Sequence, residues 1–321
     1  MNSNIEKVIL EFPKQIKYGF SQKFISPFNQ KFDNILVCGM GGSALAAEFL
    51  KELYPIRIHR NYDLPEGIIN KKTLIICISY SGNTEETLSA YDAAKNRNLP
   101  KIAISSSGLL KIKALKDNVP FIEIQTKKIE PRMSIIEQIS ILTNLFRELK
   151  IPSFRKFNQK WPKINPHAFK PKGAKIARNI VGKVPLIYVS SNNRAIGRCW
   201  KALFNENAKI PAFWNVFPEI NHNELMQGQG ISWKHQFHII NVLDEEDHPL
   251  IQRRMKISAE IFQKKGFGIE TIKMKGVSPF KKMLDSITLG NWITLYLAKE
   301  LNIDPLDPDV REEFKMLIKN Y

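Results

Sequence analysis

An unbroken apolar run, Thr73-Leu74-Ile75-Ile76-Cys77-Ile78, passes without a spacer into Ser79-Tyr80-Ser81-Gly82-Asn83-Thr84-Glu85-Glu86-Thr87. A strand with no polar alternation has to be covered on both faces, which places it inside a parallel sheet between layers of helices. The turn after it opens a helical pattern and gathers small hydroxyls at a helix start. Backbone N–H groups are unpaired there and sit at the positive end of the helix dipole. Such a turn is a seat for a phosphate. Gly82 permits the tight turn, and Asn83 with Glu86 three residues on reads as a helix cap and its reciprocal partner. An ordinary capped helix after a buried strand would look the same, so the remaining segments have to discriminate.

At 321 residues the chain exceeds one hydrophobic core, and two domains are expected. The first half alternates strand and helix signals. Strands are expected at 34–38, 55–59, 73–78, 101–104 and 120–124, and helices at 43–53, 83–95 and 135–149. The second half repeats the scheme without repeating the sequence. Its strands are expected at 186–189, 212–216, 237–243 and 269–274. Its helices are expected at 193–206, 249–265 and 279–301, with a last one ending at Tyr321. Both halves therefore read as doubly wound, parallel-sheet α/β units of three αβα layers, covering residues 1–151 and 173–321. Between them, residues 152–172 are rich in proline, aromatic residues and lysine without periodicity and read as a linker. A ligand is expected where the two units meet.

The formal net charge of +17 invites a nucleic-acid partner. The basic residues are spread along the chain, however, and no nucleic-acid-binding motif accompanies them. A positive field also concentrates small phosphorylated metabolites. No apolar run approaches the ~18 residues of a membrane span and the N-terminus lacks a signal-peptide core, so a cytoplasmic protein without a membrane partner is expected. Cys38, Cys77 and Cys199 are odd in number, far apart and set in apolar patterns. They read as reduced core thiols. The histidines lack metal-ligand spacing, and neither a metal nor a cofactor is implied.

Gly39-Met40-Gly41-Gly42-Ser43-Ala44 follows the first strand directly. Read as Gly-x-Gly-x-x-Ala, with Asp63 about twenty residues on, it imitates a dinucleotide fingerprint and keeps a nicotinamide-dependent oxidoreductase in view. Against that stands the second phosphate-type turn at Ser79. Two strand ends facing one small anion suit a monophosphate better than a pyrophosphate with two nucleosides. A nucleoside-triphosphate loop is excluded because no Gly-Lys-Ser/Thr ends either turn.

Together, Gly39 to Ala44 and Ile78 to Thr87 resemble the sugar-isomerase (SIS) domain. Four further stretches resemble the bifunctional phosphoglucose/phosphomannose isomerase family more narrowly. They are Glu130-Pro131-Arg132, Phe204-Asn205-Glu206-Asn207-Ala208-Lys209, Pro218-Glu219-Ile220-Asn221-His222-Asn223-Glu224, and Phe314-Lys315. The likeness spans nearly the whole chain. It implies an aldose-ketose isomerase acting on glucose 6-phosphate and fructose 6-phosphate, as a homodimer with the active site at a subunit interface. Gly42, Ser43, Ser79, Ser81 and Thr84 would hold the phosphorylated hexose. By the same resemblance, Glu206 moves the proton between C1 and C2, and His222 with Lys315 opens the ring. Arg132 stabilises the enediolate.

Each of these residues has a plainer reading: Glu206 as a solvated helix-end carboxylate, His222 as a surface imidazole, Arg132 as a cap and Lys315 as one lysine among many. Family members carry a Thr shortly before the C-terminal lysine, where this chain has Asp304-Pro305-Leu306-Asp307-Pro308-Asp309. Glucose 6-phosphate is therefore expected ahead of mannose 6-phosphate. A non-catalytic phosphosugar-binding SIS protein would keep the hydroxyl turn but could lose Glu206 or Arg132. A glutamine-dependent glucosamine 6-phosphate synthase would need an amidotransferase domain for which the chain has no room.

Overall fold

The computed structural model describes residues 3–24, 27–67, 69–153, 162–227, 232–307 and 310–319. In chain order the main elements begin with α1 (Ser3–Leu10), α2 (Phe12–Ser21), β1 (Asn34–Cys38), α3 (Gly41–Leu50) and β2 (Ile56–His59). Next come β3 (Thr73–Ser79), α4 (Glu85–Asn96), β4 (Lys101–Ser105), α5 (Gly108–Lys116), β5 (Phe121–Glu123) and α6 (Ile135–Glu148). The later part holds α7 (Lys170–Ile180), β6 (Val184–Ser190), α8 (Arg194–Asn207), β7 (Phe213–Phe217) and β8 (Phe237–Asp244). The last elements are α9 (Pro249–Lys264), β9 (Gly268–Met274), α10 (Pro279–Glu300) and α11 (Val310–Lys319). Every expected strand is present within about two residues of its expected ends. Helices α1, α2, α5 and α7 were not anticipated.

The chain forms two compact units. The first comprises Leu10–Asn165 with Gly276–Leu284, and the second Met1–Ile9, Pro166–Lys275 and Asp285–Tyr321. The chain thus passes between units more than once, where the sequence suggests a single linker. Residues 154–161, the middle of that expected linker, lie outside the described residues.

The first unit holds a five-stranded sheet in the order β2-β1-β3-β4-β5, parallel throughout. All seven residues of β3 are buried, as a central strand covered on both faces requires. On one face Leu36, Cys38, Ile75, Cys77 and Ala103 pack with residues of α4 and α5, among them Tyr91 and Leu110. Helices α2, α3 and α6 form another packed layer, with α2 against α6 and α3 against both α6 and β1. The approach of α2 to α6 depends on Gly19, where a Cβ would stand 2.7 Å from the Ile141 backbone nitrogen.

The second unit holds a four-stranded sheet, β7-β6-β8-β9, again parallel. Leu186, Tyr188, Ile239 and Leu243 pack on Met255 and Phe262 of α9. Trp200 of α8 is buried and donates its indole N–H to the Ser286 carbonyl of α10 at 3.1 Å. All three cysteines are free and buried. No helix among the described residues is long and apolar enough to cross a membrane.

Both sheets reverse their winding at an inner strand. β1 is flanked by β2 and β3, and β6 by β7 and β8. The carboxyl ends of β1 with β3, and of β6 with β8, are therefore the two topological switch points, where open α/β sheets leave a crevice for ligands.

Candidate functional site

At the first switch point Cys38 pairs in register with Cys77, so the glycine turn after β1 and the hydroxyl turn after β3 leave the sheet side by side. They are joined directly: the Tyr80 backbone N–H donates to Ser43 Oγ at 3.3 Å. Within the second turn Ser79 Oγ lies 2.8 Å from Thr84 Oγ1 and accepts the Gly82 N–H at 3.1 Å. Ser81, on the exposed side, accepts the Asn83 N–H at 3.3 Å. Thr84 occupies the N-cap position of α4, whose first N–H groups lie at this turn.

The expected cap is corrected here. Asn83 does not cap α4. Its Oδ1 instead accepts the Leu109 N–H at 2.9 Å, at the start of α5. The Gly82 carbonyl accepts the next N–H, that of Leu110, also at 2.9 Å. The Tyr80 carbonyl takes the Ser106 N–H at 2.9 Å. The hydroxyl turn is thus stapled to the turn after β4, and Asn83 serves a helix that the sequence pattern concealed. Gly82 has φ +71°, and a Cβ there would stand 2.9 Å from the Ser107 carbonyl carbon, so glycine is required twice over.

Arg132 lies in the helical turn Pro131–Ser134 before α6. A Cβ on Gly42 would meet the Arg132 Cα at 3.6 Å, which brings the arginine's backbone against the glycine turn. Its side chain is buried and pairs with Glu130 at 2.9 Å. Gly42, Ser43, Ser79, Ser81, Thr84 and Arg132, separated by up to 90 residues of sequence, therefore gather in the first unit. Asp63, the ribose partner of the dinucleotide alternative, is tied to α4: its Oδ1 accepts from Ser89 Oγ at 3.0 Å.

Glu206, His222 and Lys315 belong to the second unit. Glu206 is half-buried in the last turn of α8. On either side of it, Asn205 donates to the Ile210 carbonyl at 2.8 Å and the fully buried Asn207 donates to Thr294 Oγ1 of α10 at 3.0 Å. Burial, and then the charge of Glu206 seven residues on in the same helix, push the Cys199 thiol up. His222 is exposed at the end of the helical turn Glu219–His222. That turn is held by Asn221, which donates to Ser258 Oγ at 2.8 Å and accepts from Arg254 at 3.3 Å. Two residues on, Glu224 accepts from Tyr188 Oη and from Asn215 Nδ2, and burial together with this carboxylate raises the Tyr188 hydroxyl. Lys315 lies in α11. Pro308 and Asp309, in the stretch that departs from the family's threonine, lie outside the described residues.

The second switch point is furnished differently. The loop after β8 reads Asp244-Glu245-Glu246-Asp247, and Asp247 is buried. Its oxygens accept from Asn192 at 3.2 Å and Asn193 at 3.5 Å, both in the turn after β6. Burial raises its carboxyl above the ordinary aspartate value, with Asp244 adding to the rise and Ser190, Asn192 and Asn193 opposing it. Among the described residues no group of three His, Cys, Asp or Glu side chains could hold a metal ion.

Residues 29–146 match the SIS domain, and residues 169–318 match the bacterial phospho-glucose isomerase C-terminal SIS domain. The bifunctional phosphoglucose/phosphomannose isomerase of Aquifex aeolicus is 31% identical, over 99% of this chain and 99% of that protein. The protein of the same name from Caldicellulosiruptor bescii is 32% identical, over 92% of this chain and 94% of that one. Among solved structures, tagatose-6-phosphate ketose/aldose isomerase from Escherichia coli superposes with a TM-score of 0.67 at 14% identity. That match covers 95% of each chain and speaks to the fold.

Proposed function

The chain belongs to the bifunctional phosphoglucose/phosphomannose isomerase family, and from that membership we propose that it interconverts glucose 6-phosphate and fructose 6-phosphate, with mannose 6-phosphate as a second aldose. The observation that carries this reading is the convergence of Ser43, Ser79, Thr84 and the Arg132 backbone on one strand junction. Hydroxyls and helix-start N–H groups there suit a phosphate monoester. The second aldose is supported by the relatives from Aquifex aeolicus and Caldicellulosiruptor bescii, both bifunctional phosphoglucose/phosphomannose isomerases matched over more than nine-tenths of their length.

In the proposed mechanism the phosphate is held by Ser79, Ser81 and Thr84, with Gly42 and Ser43 lining the neighbouring turn. His222 and Lys315 assist ring opening, which exposes the C1 carbonyl of the aldose. Glu206 takes the proton from C2, the electron pair moves to make a cis-enediol, and the same carboxyl returns the proton to C1 to give the ketose. A carboxylate suits this task because it must accept a carbon-bound proton and deliver it one atom away. The Arg132 guanidinium stabilises the enediolate charge. The enzyme acts as a cytoplasmic homodimer.

A coupled assay with fructose 6-phosphate and mannose 6-phosphate on wild type and Glu206→Gln tests the proposal. Wild type should turn over both sugars, and the variant should lose about 1,000-fold in kcat while keeping its circular dichroism. Undiminished turnover in Glu206→Gln would remove the proton shuttle.

A further inference from the structure

Helix α6 begins with a carboxylate in an unusual place. Glu137 sits in the first turn of α6 and is 0% exposed. A glutamate there ordinarily reaches back to its own helix's capping residue. Here it reaches outward instead. It accepts the backbone N–H of Gln125 at 2.5 Å and that of Thr126 at 3.0 Å, both in the segment after β5. The α6 dipole favours a negative charge at this end, and two converging N–H donors replace much of the lost hydration. Burial raises the Glu137 carboxyl, while the Gln125 and Thr126 donors and Lys127 pull it back down.

The same segment is gripped from the other side by the hydroxyl turn. Tyr80 Oη donates to the Thr126 carbonyl at 3.1 Å and accepts the Ile129 N–H at 3.4 Å. Beyond Ile129 the chain runs directly into Glu130, Pro131 and Arg132. The last turn is fixed by Ser134, which donates to the Pro131 carbonyl at 2.8 Å, and by Gln15 of α2, which donates to the Met133 carbonyl at 2.9 Å. Gln15 also accepts the Glu137 backbone N–H at 3.3 Å, so one amide ties the start of α6 to the arginine turn.

We propose that Glu137 is a positioning residue for the isomerase reaction: by clamping Gln125 and Thr126 against Tyr80, it sets where Arg132 stands beside the glycine turn. This rests on the functional reading above for the role of Arg132. The clamp itself does not depend on that role.

The test is a double-mutant cycle with fructose 6-phosphate, comparing wild type, Glu137→Gln, Arg132→Ala and the double variant, together with hydrogen exchange over residues 125–132. A displacement of about 1 Å at a reacting centre costs about 100-fold, and Glu137→Gln should lower kcat by about that factor with KM little changed. In the Arg132→Ala background it should cost nothing more, because the group it positions is gone. Exchange over 125–132 should quicken in Glu137→Gln whether or not sugar is turned over. If the glutamine variant does not fold, Tyr80→Phe removes the opposite jaw and should reproduce the kcat loss and the faster exchange at smaller size. Full kcat in folded Glu137→Gln or Tyr80→Phe while Arg132→Ala is impaired, an equal loss in both backgrounds, or unchanged exchange would overturn the inference. Loss in none of the variants, Arg132→Ala included, would instead overturn the functional reading.

Discussion

Gly82→Ala should be among the most costly single-methyl additions to this chain, and its cost can be built from three parts. With φ at +71°, alanine would occupy a left-handed conformation that costs an L-residue about 1–2 kcal/mol. The new Cβ would also stand 2.9 Å from the Ser107 carbonyl carbon, against about 3.5–4.0 Å for ordinary carbon contacts. Both partners are backbone, so no rotamer change relieves the clash and the two turns must part. Parting them strains the staples between them: Ser106 N–H to Tyr80 O, Leu110 N–H to Gly82 O, and Leu109 N–H to Asn83 Oδ1. At about 1 kcal/mol for each of two or three such bonds, the total is about 3–5 kcal/mol. Gly41→Ala supplies the comparison. Its φ is +48° but nothing lies within 4 Å of the added methyl, so only the conformational part, about 1–2 kcal/mol, is expected. Urea unfolding of both variants by circular dichroism reads the difference. Equal losses would refute the claim that turn-to-turn packing, rather than backbone conformation, holds the hydroxyl turn in place.

Two further outcomes are expected. Because burial raises Asp247, the folded state binds its proton more tightly than the unfolded chain does. Its stabilising contribution is full below the ordinary value of 3.8 and is lost as pH rises through the raised one. The urea midpoint of wild type should therefore fall relative to Asp247→Asn as pH rises above about 4, and a relative rise would reverse the assignment. Light scattering should give twice the chain mass, since α11 exposes Val310, Phe314 and Leu317, spaced four and three residues apart on one helix face, an apolar row suited to burial against a second copy. The mass of a single chain would exclude the homodimer.

The strands were legible because parallel sheets demand continuous apolar runs, and β1 begins and ends where its sequence pattern does, at Asn34 and Cys38. Helix α5 was not, since Leu109, Ile112 and Leu115 are exposed while Leu110 and Ala114 are buried, which blurs any single apolar stripe. Asn83 was misassigned for the same reason, its true partner being the start of a helix that was not seen. Helix α7 was hidden because it starts in the last three residues of the expected linker and runs on into the second unit's basic sequence. In the candidate site, the hydroxyl turn announced itself by composition, whereas Glu206, His222, Arg132 and Lys315 stood out only through resemblance. Tyr80, Glu137, Gln15 and Asn207 gave no local signal at all. Each is one polar residue whose partners lie 11 to 122 residues away, and spacing within a helix or strand carries no trace of such pairings.

Under the proposed function, the acidic loop after β8 leaves one seat for a sugar phosphate per polypeptide. Built on the same winding plan, the two sheets furnish their switch points with opposite charge character. At the junction of β6 and β8 the amides of Asn192 and Asn193 already embrace the polypeptide's own Asp247. An incoming phosphate would find like charge there and donors in use. Duplicating the scaffold has not duplicated the grip, so a phosphate-mimicking inhibitor would saturate at a single molecule per polypeptide.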